Sequence, residues 1–90
     1  MEIYEIRRKL DDLDSIIITT LATRMEHIHC IAKYKDKHNM PQYQPKREQE
    51  IIKKRRKQAV REGLNPDLAE EVMRIVFKYA HKIEERYLEE

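Results

Sequence analysis

Residues 2–37 read EIYEIRRKLDDLDSIIITTLATRMEHIHCIAKYKDK, and they contain neither glycine nor proline. Apolar side chains recur along this stretch, mostly three or four residues apart, at Ile3, Ile6, Leu10, Leu13, Ile17, Leu21, Ile28 and Ile31. Steps of this size place side chains on one face of an α-helix. The stretch therefore predicts a single helix that would be about 50 Å long.

Two shorter helices are predicted to follow, each marked by residues that stop or start a helix. The first helix should end within residues 36–44, DKHNMPQYQ, because asparagine and proline favour a turn there. A second helix should cover residues 45–62 with proline at its first position, and Gly63 suits the end of it. Asn65 is suited to cap a third helix over residues 66–87. The predicted fold is all-α, with one domain over residues 1–90.

The predicted first helix is too long for the other two helices to cover. A chain of 90 residues buries only a modest core, and uncovered apolar surface needs a partner. The simplest partner is a second copy of the same chain. We therefore predict that the three helices form an intertwined helical homodimer.

Composition argues against several classes of partner. The net charge is only +2, so the chain as a whole is not a polycation built for nucleic acid. The first residues, MEIYEIRRKL, lack the apolar segment of a signal peptide, and the longest pure aliphatic run is three isoleucines at positions 16–18. These features predict a cytoplasmic protein that does not span a membrane.

Two cations interrupt the apolar face of the first helix. Arg24 and Lys35 are 11 residues apart, which returns them to within about 20° of one direction and places them about 16 Å apart along the axis. Ile28 and Ile31 lie between them on that line. An apolar floor with a cation at each end suits a small anionic ligand. The alternative is that Arg24 and Lys35 are ordinary solvated side chains. For Arg7, a third cation nearer the start of the same helix, the solvated alternative is stronger.

The second and third helices add further charged candidates. Arg47 lies in the first turn of the second helix, where backbone N–H groups also favour an anion. Glu84 lies on an otherwise apolar line of the third helix, either as a surface residue near a frayed end or as a buried functional group. The basic run KKRRK at residues 53–57 points in all directions around its helix, so we interpret it as a solvated face. No histidine has a partner at the spacing of a metal site.

Three segments, IRRKLDDLD, LATRMEHIHCIAKYK and PKREQEI, have the order and spacing found in the all-helical class of chorismate mutases. The resemblance covers essentially the whole chain. It implies an isomerase, an intertwined homodimer that converts chorismate to prephenate at the branch toward phenylalanine and tyrosine. The reaction is a unimolecular Claisen rearrangement of a dicarboxylate, so the resemblance implies no cofactor and no metal.

The resemblance also implies roles for the charged candidates. Arg7 looks like the arginine that reaches across the dimer into the neighbouring site. Arg24 and Arg47 look like the arginines that bind the carboxylates of the substrate within one chain. Lys35 matches the lysine that contacts a carboxylate and the breaking ether oxygen. Glu84 falls where relatives carry Gln or Glu, aimed at the same oxygen, and a glutamate donates a hydrogen bond there only when protonated.

The remaining correspondences concern the substrate ring and the walls of the pocket. Glu48 matches the acid that accepts a hydrogen bond from the ring hydroxyl. Gln44 falls where the family often has Asp and where the backbone amide binds the substrate. Ala80 falls where some members place a Ser, so one hydrogen bond to a carboxylate would be missing. Ile31 and Phe77 match apolar walls.

Two alternatives compete with the mutase interpretation. The same fold and the same cations would serve an isochorismate pyruvate lyase, which eliminates pyruvate from a related dicarboxylate. A non-enzymatic helical module that binds through the basic run at residues 53–57 is a different class, and it would predict salt-sensitive nucleic-acid binding. This module would leave the charges on the apolar faces unexplained.

Overall fold

The computed structural model describes residues 1–88, and this part of the chain holds three helices and no strand. They are α1 (Ile3–Lys37), α2 (Pro45–Arg61) and α3 (Pro66–Leu88). The predicted ends at residues 2, 62 and 87 each differ by one residue from the observed ends, which is the scale on which helix ends fray. The all-α prediction is confirmed.

The end of α1 is set by a backbone turn in the left-handed region. Asn39 has φ +55°, and asparagine tolerates that conformation better than most residues. The N–H of Met40 donates to the carbonyl oxygen of Lys35 at 2.8 Å, and that of Asn39 donates to Asp36 at 3.3 Å. These two bonds satisfy carbonyl groups that would otherwise be unpaired at the helix end.

The turn between α2 and α3 follows the predicted chemistry. Gly63 has φ +73°, and the N–H of Leu64 donates to the carbonyl of Ala59 at 2.8 Å. The side-chain oxygen of Asn65 accepts from the N–H of Asp67 at 2.8 Å, which confirms Asn65 as the cap of α3. The tight turn folds α3 back along α2.

The core is small and lies where α3 packs against both α2 and the C-terminal half of α1. Its buried apolar side chains are Ala32, Ile52, Ala59, Val76, Phe77 and Ala80. Three polar side chains, those of Lys35, Gln42 and Glu84, are buried with them. Polar side chains are rarely buried without a partner, and a cluster of three in so small a core needs an explanation. This end of the core is therefore a candidate functional site.

The N-terminal half of α1 extends away from this core, and the chain measures 55 × 24 × 15 Å. Its large apolar side chains are all more than 40% exposed, at Ile3, Ile6, Leu10, Leu13, Ile16, Ile17 and Ile18. A second apolar row is exposed on α3, at Leu68, Val72, Ile75 and Tyr79. The four-residue spacing of Leu68, Val72, Val76 and Ala80 in the sequence predicts one buried face of α3, but within residues 1–88 only Val76 and Ala80 of these four are buried. Neither row is covered by another part of residues 1–88.

One member of the basic run at residues 53–57 is not simply solvated. Arg56 Nη1 donates to the carboxylates of Asp67 at 3.0 Å and Glu70 at 3.1 Å, and to the carbonyl of Pro66 at 3.2 Å. The hydrogen bond to Asp67 raises the pKa of Arg56 above its ordinary value. The interpretation of the run as a solvated face is therefore wrong for Arg56, which ties α2 to the first turn of α3.

Candidate active site

A cavity of about 150 Å³ opens beside the buried polar cluster, between the three helices and the loop that precedes α2. Nine of the ten residues predicted for the site line it: Arg24, Ile31, Lys35, Gln44, Arg47, Glu48, Phe77, Ala80 and Glu84. The other lining residues are Ile28, Gln42 and Ile51. The chain thus brings together side chains that are up to 60 residues apart, although their roles toward a ligand stay predictions.

Arg24 enters the cavity from α1 with part of its guanidinium unsatisfied. Its Nη1 is buried and has no hydrogen-bond partner within residues 1–88, and its Cζ lies 5.8 Å from the ring centroid of Phe77. Burial lowers the pKa of Arg24 below its ordinary value, and the positive charge of Arg47 lowers it further, against the opposing effect of Glu84. An arginine remains charged under such conditions. The positive charges of Arg24 and Arg47 and the unpaired Nη1 donor of Arg24 therefore favour the binding of an anion in this cavity.

Lys35 and Glu84 form the most buried charged pair of the site. Lys35 Nζ lies 3.5 Å from Glu84 Oε2, and the two residues are 9% and 7% exposed. Lys35 Nζ also donates to the carbonyl oxygen of Gln42 at 2.8 Å. An ammonium has three N–H donors, so one donor is left over for a ligand after these two contacts.

Gln42 supports Lys35 from the loop, and sequence reasoning missed it. Its Nε2 donates to the carbonyl oxygen of Ala32 at 2.9 Å, which fastens the loop to α1, while its buried Oε1 has no partner within the described residues. Its backbone carbonyl is the oxygen that binds Lys35. A single glutamine in a loop belongs to no periodic pattern, so the sequence carries no signal for it.

Glu48 lies in the first turn of α2 and points toward α3. Its Oε2 lies 2.5 Å from Nε2 of His81, and the ring of Tyr43 meets the ring of His81 edge-on, with centroids 5.1 Å apart. Sequence reasoning missed this pair as well, because 33 residues separate its members and no local spacing connects them. His81 has no partner at the spacing of a metal site in the sequence, but the fold gives it the carboxylate of Glu48 as a partner.

Three of the residues predicted for the site, unlike Lys35 and Glu84, are not buried in the cavity. Arg47 is at the rim, with its side chain 63% exposed and its Nη1 3.7 Å from Glu50 Oε2. The side chain of Gln44 donates to the carbonyl of Pro41 at 3.1 Å and so braces the loop. Arg7 is exposed and lies outside the cavity, 17 residues before Arg24, which is about 25 Å along α1. It cannot reach this cavity within one chain.

Within residues 1–88 there is no group of three or more His, Cys, Asp or Glu side chains that could hold a metal ion. Within the same residues no helix is long and apolar enough to cross a membrane.

The cavity combines a half-buried arginine, a rim arginine and a buried lysine with apolar walls. Cations fixed at separate points can bind a small molecule with two anionic groups in one orientation. A donor held in a dry pocket can also stabilise negative charge that develops during a reaction. Fold and cavity together define an all-helical protein with a pocket lined by three cations and two carboxylates.

Comparison with known proteins identifies the family. The model of the family described as chorismate mutase type II matches residues 6–85. The chain belongs to this family, whose members are isomerase enzymes. It is 26% identical to a chorismate mutase of Methanocaldococcus jannaschii over 89 residues, which cover 99% of this chain and 90% of that protein.

Two T-proteins are also similar to the chain. The identity is 32% to that of Enterobacter agglomerans and 31% to that of Haemophilus influenzae, in both cases over 83 residues. The matched region is 92% of this chain but only 22% of each T-protein. The chain therefore spans about a fifth of the length of these two relatives.

Proposed function

We propose that this chain catalyses the rearrangement of chorismate to prephenate. The observation that carries the proposal is the convergence of Arg24, Lys35, Arg47 and Glu84 on one cavity in a chain of the chorismate mutase type II family. Chorismate carries two carboxylates, an ether bridge and a ring hydroxyl. A pocket with separate cations, a buried acid and apolar walls matches that set of groups.

The proposed mechanism depends on positioned charge. Arg24 and Arg47 bind the carboxylates and hold the enolpyruvyl side chain over the ring, which supplies the orientation that the rearrangement needs. The C–O bond breaks as the C–C bond forms, and negative charge grows on the ether oxygen. Lys35 donates to that oxygen, and Glu84 donates as well when it is protonated. No covalent intermediate is involved.

The rest of the pocket fixes the ring. Glu48 accepts the hydrogen bond of the ring hydroxyl, and the backbone amide of Gln44 also binds the substrate. Ile31, Phe77 and Ala80 form apolar walls that exclude water from the reacting atoms. Because Ala80 has no hydroxyl, the carboxylate next to it has one donor fewer than in family members with Ser at this position.

We further propose that the working form is an intertwined homodimer. The exposed apolar rows on the N-terminal half of α1 and on α3 support this, because rows of this length are unfavourable in water. In an antiparallel pair of α1 helices, the Arg7 end of one helix lies beside the middle of the other. Arg7 of the partner then completes the pocket, which a single chain leaves open.

The test is to follow the absorbance of chorismate with purified protein and to identify the product by chromatography. Wild-type protein should consume chorismate and release prephenate, and Arg24→Ala should lose nearly all of this activity. The conservative surface variant Lys33→Gln, on the same helix but outside the cavity, should retain it. Absence of chorismate turnover would refute the proposal. Release of pyruvate from isochorismate without prephenate formation would favour the lyase alternative.

A further inference from the structure

Glu48 separates two cavities. On one side it lines the proposed substrate pocket with Arg24 and Lys35. On the other side it lines an outer groove together with Tyr43 and His81. A carboxylate between two cavities can accept a hydrogen bond from a residue in the outer groove while it also binds a ligand in the substrate pocket.

The contact that holds it is the pair with His81. His81 Nε2 donates to Glu48 Oε2 at 2.5 Å, and the two side chains are 31% and 23% exposed. Nε2 must be the donor because an ionised carboxylate has no hydrogen to donate. Within residues 1–88, His81 is the only basic side chain within 4.0 Å of the Glu48 carboxylate, although Arg74, Lys78 and other charged side chains line the same groove.

We propose that His81 is a positioning residue that fixes the carboxylate of Glu48 for the ring hydroxyl of the substrate. This inference rests on the proposed function, because it takes the ligand of Glu48 to be a hydroxyl group of chorismate. A carboxylate has about four lone-pair sites on its two oxygens, so the bond to His81 leaves acceptor capacity for the substrate. Without His81, the long side chain of Glu48 would sample other rotamers.

The ring of Tyr43 sets the orientation of His81 in turn. It packs edge-on against the imidazole at an interplanar angle of 88°, and Tyr43 belongs to the loop that leads into α2. The loop, α2 and α3 therefore meet at this histidine. Glu84 and Glu85 lie on the same helix and line the neighbouring cavity with Tyr43 and His81, so acidic side chains also face this region.

The experiment compares three replacements of His81. Gln carries an N–H donor at about the reach of Nε2, whereas Asn is one methylene shorter and Leu has no donor. His81→Leu and His81→Asn should raise the KM for chorismate about fivefold with little change in kcat, because the hydroxyl bond exists in both the bound substrate and the transition state. His81→Gln should restore the wild-type KM. The control variant Glu85→Gln, in the same groove, should match wild type.

Two further measurements separate positioning from general stability. In a Glu48→Gln background, His81→Leu should have almost no additional effect on KM, because the two residues act through one contact. In wild-type protein labelled with ¹⁵N, the Nε2 resonance of His81 should be that of a protonated nitrogen, and it should shift in Glu48→Gln.

The outcomes distinguish this inference from the proposed function. If wild type turns over chorismate and all three His81 variants keep the wild-type KM, the inference is overturned and the function stands. If His81→Gln is as impaired as His81→Leu, the donor at Nε2 is not what matters, and the inference is again overturned. If wild type does not turn over chorismate, both proposals fall.

Discussion

Mixing two inactive variants should restore activity if Arg7 serves the site of the partner chain. Arg7 lies about 25 Å from Arg24 along α1, so Arg7→Ala and Arg24→Ala remove groups that cannot belong to one cavity within one chain. Each homodimer should lose most of its activity, because every site lacks one arginine. In a mixed dimer, one of the two sites has its own Arg24 and receives Arg7 from the partner.

The expected recovery follows from counting sites. Random pairing of equal amounts makes half of the dimers mixed, and half of the sites in these dimers are intact, so about one quarter of wild-type activity should return. The two variants are unfolded together, refolded, and assayed by the loss of chorismate absorbance. Native mass spectrometry measures the fraction of mixed dimers. Arg8→Ala in place of Arg7→Ala, as a control, should give active homodimers without mixing.

Mixed dimers that form in the expected amount but show no recovery would refute the assignment of Arg7 to the neighbouring site. Purely monomeric protein with full activity would refute both this assignment and the proposed dimer. Recovery well above one quarter would show that a single intact site accounts for more than half of the activity of a dimer.

Three further variants test individual contacts. Lys35→Met should lower kcat/KM about 100-fold, the scale of one lost transition-state donor. It should also lower the free energy of unfolding by about 3 kcal/mol, because Glu84 stays buried without its partner. Urea denaturation measures the second effect, and an unchanged free energy of unfolding would refute the buried pair. Glu84→Gln keeps a hydrogen-bond donor at this position and should retain most of kcat/KM, whereas Glu84→Leu, which has no donor, should lose it; equal losses in the two variants would exclude Glu84 as the donor. Arg56→Ala should lower Tm and leave kcat/KM unchanged, because Arg56 joins α2 to Asp67 and Glu70 away from the cavity; a large loss of activity would contradict that.

The helices could be predicted from the sequence because their signals are local. Periodic apolar residues set the body of each helix, and Asn39, Gly63 and Asn65 mark the ends through backbone preferences that do not depend on distant contacts. The cations of α1 could be grouped for the same reason, since helix geometry alone brings Arg24 and Lys35 onto one line.

The contacts between elements could not be predicted in this way. The pairs Glu48–His81 and Gln42–Ala32 depend on how a loop and two helices pack, and no spacing in the sequence connects them. Arg56 shows the same limit, because its neighbours within α2 suggested solvent while α3 supplied its partners. The resemblance to a family located the pocket residues, but it did not indicate what holds them in place.

The bond from Met40 to the carbonyl of Lys35 has a consequence for the entropy of binding. The backbone of Lys35 is fixed by that bond, and its side chain is fixed by the carbonyl of Gln42, whose own side chain returns to α1 at Ala32. A free lysine side chain loses about 2 kcal/mol of rotamer entropy when it is immobilised. In this chain the entropy is lost when the chain folds. A ligand therefore binds an ammonium group that is already immobilised, and little further side-chain entropy of Lys35 is lost on binding.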